Sequence, residues 1–331
     1  MTSAFIDGYD VAFFDLDGVI YLGPDAVPGA REGVASLRAR GVRAIFVTNN
    51  AARSAADVAA HLTELGFAAA EEDLVTSAQA AAGLLRRELA PGSKVLVAGT
   101  RNLVDHVLSA GMVVVDSADD APDAVIQGYD PAMTWPRLDQ AALAVQAGAR
   151  WFATNTDSTR PTERGLVPGA GMAIAAVRAT VDHDPVVVGK PHRPLMEEAL
   201  RRTGAQRPVF VGDRIDTDIM GAAAVGIDSF LVFTGAHGKR DLVAAPPSGR
   251  PTAIGWDVPA LLEPRRTASV SPGVARCGAA TAQVVAGEVV LAGPRATREQ
   301  QLDALWAVTQ LVWAGDATAC ETALATLNLV Q

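Results

Sequence analysis

Four short apolar runs in this chain each stop abruptly at a polar cluster. They are FFDLDG at 13–18, FVTNN at 46–50, VVGKP at 187–191 and FVGDRIDTD at 210–218. Runs that are apolar throughout, without alternation, are the mark of strands buried on both faces of a parallel sheet. Between them lie stretches of helical period. GAREGVASLRARG (29–41) closes on a glycine, SAADVAAHLTELG (54–66) opens on Ser54 as an N-cap and closes on Gly66, and RPLMEEALRRTG (193–204) also ends in glycine. Strands alternating with helices predict an α/β fold around a parallel sheet. Open sheets of that kind bind ligands at the carboxyl ends of their strands, where all four polar clusters fall.

The pattern continues between the second and third clusters. KVLVAG, DAVIQG and WFATN read as strands, and RNLVDHVLSAG, PRLDQAALAVQAG and AGMAIAAVRATV as helices. TRPTERGLVPGAG (159–171) is rich in proline and glycine and predicts a long functional loop. Residues 246–272 collect Pro, Gly, Ser and Arg and predict a linker. Two short strands, TAQVVAG and EVVLAG, and a long helix from Arg298 follow it. The expected organisation is a Rossmann-like core from 1–78 plus 186–265, an α/β insertion at 79–185, and a small α+β extension at 266–331.

The chemistry of the four clusters is that of phosphate removal. Such a site needs a nucleophile, a cation to mask the phosphoryl charge, donors for the oxygens and an acid for the leaving group. Asp15 can attack phosphorus. Asp17, two residues on, can protonate the leaving oxygen and then activate water. Asp213 or Asp218 can complete an oxygen-rich Mg²⁺ site. Thr48 and Asn49 offer hydrogen bonds to phosphoryl oxygens, and Lys190 a compact positive charge. The chain has 28 basic residues, of which only Lys94, Lys190 and Lys239 are lysines, so a retained lysine hints at a place where arginine would not serve.

Each residue also has a plainer reading. Asp213 and Asp218 could be a loop acid and a helix cap, and Asp218 could orient Asp213 or Lys190 rather than touch a metal. Thr48 could be a strand-end hydroxyl and Lys190 a surface charge. His237 reads as a loop residue, and Cys277 and Cys320 as small apolar fillers. Asn155 either fixes a turn or faces the site. It is the joint occurrence, in this order, that favours chemistry.

The motifs DLDGV, VTNN, GKP and GDRIDTD resemble the haloacid dehalogenase superfamily. The insertion and its ATNTDSTRPTERGLVPGAG segment are similar to the large α/β cap of the 4-nitrophenylphosphatase-like branch. Within it, VTNNAARSA, VAAHLTELGF, VTSAQAAAGLL, RPTERGLVPG and VGDRIDTDI are similar to actinobacterial glycerol 3-phosphate phosphatases. The resemblance covers residues 11 to about 262. It implies Asp15 as nucleophile and Asp17 as general acid/base. It implies Mg²⁺, replaceable by Mn²⁺ or Co²⁺, held by the Asp15 side chain, the Asp17 main-chain carbonyl and Asp213. Thr48, Asn49, Asn50 and Lys190 carry over to the phosphate site. Val19 stands where many members have threonine, a change this branch tolerates. The tail resembles an acetyltransferase fold only loosely, and it lacks a glycine-rich coenzyme A loop.

The expected substrate is a small phosphorylated metabolite, with glycerol 3-phosphate first and phosphoglycolate, a sugar phosphate or pyridoxal phosphate behind it. A phosphomutase, or a phosphate-binding regulatory module without turnover, are the other readings. A receiver domain would be about 120 residues long with no insertion, and a dehalogenase would lack Asp17. A net charge of −9 excludes a nucleic-acid partner, and no apolar run is long enough to span a bilayer. The first ten residues show no secretory signal, and two cysteines in 331 residues fit the cytoplasm. Homo-oligomer formation is left open.

Overall fold

Val11, Ala12, Phe13 and Phe14 are all buried, as a strand covered on both faces requires. The strand Val11–Phe14 pairs in parallel with Pro208–Gly212, which pairs in parallel with Asp228–Val232, and that strand with Ala253–Gly255. The structure is a computed structural model that describes residues 3–162, 164–317 and 319–330. The chain falls into two compact units, Met1–Ala44 with Gln206–Gln331, and Ile45–Ala205. The four strands above belong to the first.

In the second unit, the strand that ends at Thr48 pairs in parallel with Leu74–Thr76. A five-stranded parallel sheet follows, in the order Val186–Val187, Arg150–Ala153, Ala124–Gln127, Lys94–Ala98, Val113–Val115. Helices Arg101–Ser109, Trp135–Gln146 and Ala170–Arg178 alternate with its strands. Ser54 caps Ala55–Glu64 as expected, its hydroxyl accepting from the Asp57 amide at 3.0 Å. Residue 79 lies inside helix Ser77–Glu88, whose cap is Thr76.

Two stretches differ from expectation. The long loop at 159–171 is largely an antiparallel ribbon, Thr159–Thr162 against Gly165–Pro168, closed by a hydrogen bond from the Thr162 hydroxyl to the Gly165 carbonyl at 2.7 Å. Glu163 in that stretch lies outside the described residues. The supposed linker is built into the fold. Ala253–Gly255 is a buried edge strand, Val258–Leu262 a 3₁₀ helix, and Ala268–Ser271 a strand. Composition misleads here because Gly255 serves packing, not flexibility. A Cβ at that position would run into the Phe230 ring and Ala260.

The tail forms a four-stranded antiparallel sheet in chain order, Ala268–Ser271, Val274–Cys277, Ala280–Val285 and Glu288–Ala292, with helix Arg298–Trp313. That helix is buried around most of its circumference, so it must be covered on more than one side. One apolar cluster contains Leu302, Leu305, Trp306 and Leu311, with Ala275, Ala282 and Val289 of the small sheet and Leu231, Phe233, Leu242 and Ile254 of the parallel sheet region. The extension therefore shares its core with the last strands of the first unit. Among the described residues, no helix is long and apolar enough to cross a membrane.

The shared core makes a prediction. Leu305 is fully buried. Leu305→Ala should cost about 2–5 kcal/mol and lower the urea midpoint of the first unit as a whole. An unchanged midpoint for the parallel-sheet region, with only the tail unfolding earlier, would contradict it.

Candidate active site

The strand Val11–Phe14 delivers Asp15 at its carboxyl end, where the Asp15 amide still donates to the Val211 carbonyl at 2.9 Å. The chain then turns sharply. The Leu16 carbonyl accepts from the amides of Ile20 and Tyr21, at 2.9 and 3.2 Å, and Gly18 donates to the Tyr21 carbonyl at 2.8 Å. Gly18 has φ +83°, which favours glycine, and a Cβ there would strike the Asp213 carboxylate. Leu16 is buried, Asp15 half-buried and Asp17 exposed. The two carboxylates of DLDG thus flank an apolar anchor.

The strand Pro208–Gly212 delivers Asp213 in the same manner, and a π-helical turn, Ile215–Ile219, carries Asp218 back beside it. Such turns are rare and recur at functional sites. Oxygens of Asp15, Asp213 and Asp218 lie within 4.8 Å of one another, with Asp213 and Asp218 almost wholly buried. Two unit charges that close repel by roughly 3–4 kcal/mol at an effective dielectric near 20. Main-chain donors offset part of this. Ala236 N–H donates to Asp213 Oδ2 at 2.6 Å, and Arg214 N–H to Asp218 Oδ2 at 3.1 Å. The Thr217 hydroxyl adds a longer contact to Asp218 Oδ1, at 3.4 Å. Gly212 is required beneath Asp218, because a Cβ there would overlap its carboxylate.

The second unit gathers the other two clusters. Thr48 is buried, and its hydroxyl accepts from the Asn50 amide at 3.1 Å. Asn50 holds the turn that follows, accepting from Ala52 N–H at 2.8 Å. The Asn49 side chain is committed to Lys190. Its Oδ1 accepts from Lys190 N–H at 2.7 Å, and its Nδ2 donates to the Lys190 carbonyl at 3.1 Å. The same Nδ2 lies 3.3 Å from Asp157 Oδ2. Lys190 itself is 3 % exposed, and its Nζ donates to the Val47 carbonyl at 3.4 Å. Gly189 has no room for a Cβ against Asn49 Oδ1 and the Thr154 carbonyl, which accounts for the glycine of GKP.

Asn155 resolves as a turn-fixing residue that also reaches the strand end. Its Oδ1 accepts from Asp157 N–H at 3.1 Å, and its Nδ2 donates to the Asn49 carbonyl at 2.8 Å, where Ser77 Oγ donates too, at 2.6 Å. Asp157 and Ser77 were missed in the sequence, because nothing local marks either as a partner of Asn49. His237 was read as a loop residue. The structure ties it to the acidic cluster, its amide donating to the Asp213 carbonyl at 3.2 Å and its Nδ1 accepting from Ile215 N–H at 2.9 Å.

The chain is similar to known proteins. Residues 12–113 match the family described as haloacid dehalogenase-like hydrolase, and residues 187–261 one described as HAD-hydrolase-like. The D-glycerol 3-phosphate phosphatase of Mycobacterium tuberculosis is 47% identical over 264 residues, 80% of this chain and 74% of that protein. The crystal structure of a glycerol phosphate phosphatase from the same organism, in complex with magnesium, superposes with a TM-score of 0.87 at 41% identity, covering 99% of this chain and 98% of that one. The match therefore includes the C-terminal extension. A calcium complex of it matches equally well, with a TM-score of 0.87. The p-nitrophenyl phosphatase of Archaeoglobus fulgidus matches with a TM-score of 0.71 at 30% identity, over 77% of this chain and 98% of its own.

The packing of Asp218 on Gly212 can be tested directly. Gly212→Ala should destabilise the protein by about 1–3 kcal/mol, the usual cost of forcing atoms into a filled site. Gly8→Ala is the control, since nothing lies within 4 Å of a Cβ there. Equal melting temperatures for the two variants would show that the Asp218 carboxylate yields freely.

Proposed function

This chain belongs to the haloacid dehalogenase-like hydrolases, as a phosphatase of small phosphate esters, and we propose that it hydrolyses glycerol 3-phosphate with Mg²⁺ through an aspartyl-phosphate on Asp15. The observation that carries the reading is the set of three carboxylates within 4.8 Å, two of them buried. Left alone, such a set would repel a phosphate dianion.

The donor set suits a hard divalent cation. The atoms on offer are hard oxygens, carboxylates gathered within 4.8 Å of one another with a main-chain carbonyl beside them, the donors such a cation prefers. Asp15, Asp213 and the Asp17 main-chain carbonyl would hold the ion. Asp218 stands beside them, its oxygens accepting from Arg214 N–H and the Thr217 hydroxyl, and adds negative charge next to the ion. Mn²⁺ or Co²⁺ would be accepted on the same grounds. When bound, the ion masks phosphoryl charge and lowers the barrier to anionic attack.

The chain's own residues do the rest. An Asp15 oxygen attacks phosphorus, the ester P–O bond breaks, and Asp17 gives its proton to the departing alkoxide. Asp17, now a base, takes a proton from water, whose oxygen attacks the phosphorus of the intermediate. Phosphate leaves and Asp15 is regenerated. The exposure of Asp17 suits a group that must exchange a proton with both leaving group and water. The reading assigns phosphate binding to Thr48, Asn49, Asn50 and Lys190. Asn49 contributes by positioning Lys190, and the Lys190 ammonium supplies charge. It keeps 1–78 plus 186–265 as the catalytic core, 79–185 as the cap domain, and 266–331 as an extension without its own activity.

The four aromatic residues of 79–185 offer little stacking surface, which suits a small polyol ester. Trp151 and Phe152 are buried in their own core, and the Tyr129 ring lies under the Arg160 guanidinium at 5.0 Å. Of the four, Trp135 is the one exposed ring, at 73 % on the first turn of helix Trp135–Gln146. Both cysteines are free and buried, consistent with a reducing cytoplasm.

Two outcomes follow. Asp15→Asn should abolish turnover of 4-nitrophenyl phosphate, since a carboxamide is a poor nucleophile. Survival of about a tenth of kcat would rule out the covalent route. In a panel of phosphomonoesters, glycerol 3-phosphate should have the highest kcat/KM. A sugar phosphate in first place would move the assignment within the family, and a nucleoside monophosphate ahead by about 100-fold, roughly 2.7 kcal/mol, would overturn it.

A further inference from the structure

The main chain that grips Asp213 runs into Lys239, which is itself held by the carbonyls of Leu327 and Val330. We propose that the C-terminal segment 326–330 is a working part of the metal site, acting through Lys239 as a positioning residue. This rests on the reading of Asp213 as a metal ligand and adds a role for the extension.

The chain of contacts is short. Residues Thr234–Gly238 wrap the Asp213 side chain. Ala236 N–H donates to Asp213 Oδ2 at 2.6 Å and His237 N–H to its carbonyl at 3.2 Å. Gly235 lies so close that a Cβ would overlap the Asp213 carboxylate. The Thr234 hydroxyl donates to the Gly18 carbonyl at 2.6 Å, so the same loop also braces the DLDG turn. His237 Nδ1 accepts from Ile215 N–H at 2.9 Å, which bolts the loop to the turn bearing Asp218 and places the ring proton on Nε2, 3.7 Å from Asp216. This loop therefore sets where the carboxylates stand.

The loop runs straight into the short helix Lys239–Val243, capped by Gly238 N–H donating to Asp241 Oδ2 at 2.8 Å. Lys239, the first residue of that helix, sends its ammonium to two carbonyls of the chain end, Leu327 at 2.5 Å and Val330 at 2.8 Å. The neighbouring Arg240 pairs with Glu321 at 2.8 Å. Below them Leu242, Leu324, Leu327 and Val330 share one apolar cluster. Leu329 N–H is tied in turn to Gln301 of the long helix, at 2.8 Å.

Lysine is apt here. All three lysines of this arginine-rich chain donate to main-chain carbonyls, Lys94 to Asp120 at 2.8 Å, Lys190 to Val47 at 3.4 Å, and Lys239 as above. A compact ammonium can sit where carbonyls converge, whereas a planar fork needs its partners spread out. Two residues separate Ala236 from Lys239, so loss of the Lys239 anchor frees the loop at the place where it holds Asp213.

A merely structural tie would lower the melting temperature and nothing more. A tie coupled to the metal site must also be reciprocal: what the tail does for the ion, the ion does for the tail. Mg²⁺ binding to the intact protein is measured by calorimetry at 25 °C, far below melting, for wild type and Lys239→Met. The variant should bind about tenfold more weakly, the low end for residues that orient ligands, and excess Mg²⁺ should restore the activity lost at limiting Mg²⁺. In the wild type, Mg²⁺ should slow hydrogen exchange at the amides of Leu327–Val330 as well as at Gly235–Gly238. Equal Mg²⁺ affinity in wild type and Lys239→Met would overturn the proposal. If Lys239→Met does not fold, the wild-type exchange experiment decides, and Mg²⁺ protection confined to the 235–238 loop would overturn it. A wild-type protein that binds no Mg²⁺ at all would instead refute the metal reading itself.

Discussion

Three carboxylates held within 4.8 Å of one another repel, and the first unit is arranged around keeping them there. The strands Val11–Phe14 and Pro208–Gly212 run side by side in parallel and in register, Phe14 beside Val211, so Asp15 and Asp213 emerge together at one sheet edge. Glycine appears wherever a side chain would displace an acid. Gly18 and Gly235 lie against Asp213, and Gly212 lies under Asp218. Amides of Ala236 and Arg214 point at the oxygens. Hydrogen bonds to ionised groups are the stronger kind, and main-chain donors cannot swing away. The repulsion that remains is what a cation would relieve.

The second unit solves a different problem, which is how to bury an ammonium at a defined place. Lys190 is fixed by its own main chain, whose N–H and C=O both bond the Asn49 amide. Only an amide side chain can donate and accept in this way, so aspartate in place of Asn49 would lose the donor. Asn155 and Ser77 fix the Asn49 carbonyl from other directions. Three stretches far apart in sequence, VTNN, TNTD and GKP, thus form one hydrogen-bonded knot. Its rigidity serves placement of the Lys190 charge, the property electrostatic stabilisation depends on.

The extension shows how little chain composition says about autonomy. Two of its four strands and its helix were expected, and they form. It was expected as a small module behind a linker, yet Leu302, Leu305 and Trp306 pack in one cluster with Leu231, Phe233 and Ile254. Proline and glycine around 246–272 suggested a linker, but glycine content marks close backbone approach as readily as flexibility, and at Gly255 it marks the former.

What the sequence alone determined was the layers and the strand ends that carry polar clusters. Apolar runs without alternation read as buried parallel strands, and parallel strands present their carboxyl ends to ligands, so Asp15, Asp213, Thr48 and Lys190 could be picked out as candidates. Asp218 was legible as an acid near the site, though not as one folded back onto Gly212 by a π-helical turn, because such a turn has no local signature. The roles of His237 and Asp157 could not be read, and Lys239 stood out only as one of three retained lysines, without its partners. Each acts through a partner many residues away, His237 on Ile215, Asp157 near Asn49, Lys239 on Leu327 and Val330. Hydrogen bonds span about 3 Å, and only the tertiary structure decides which distant atoms come that close.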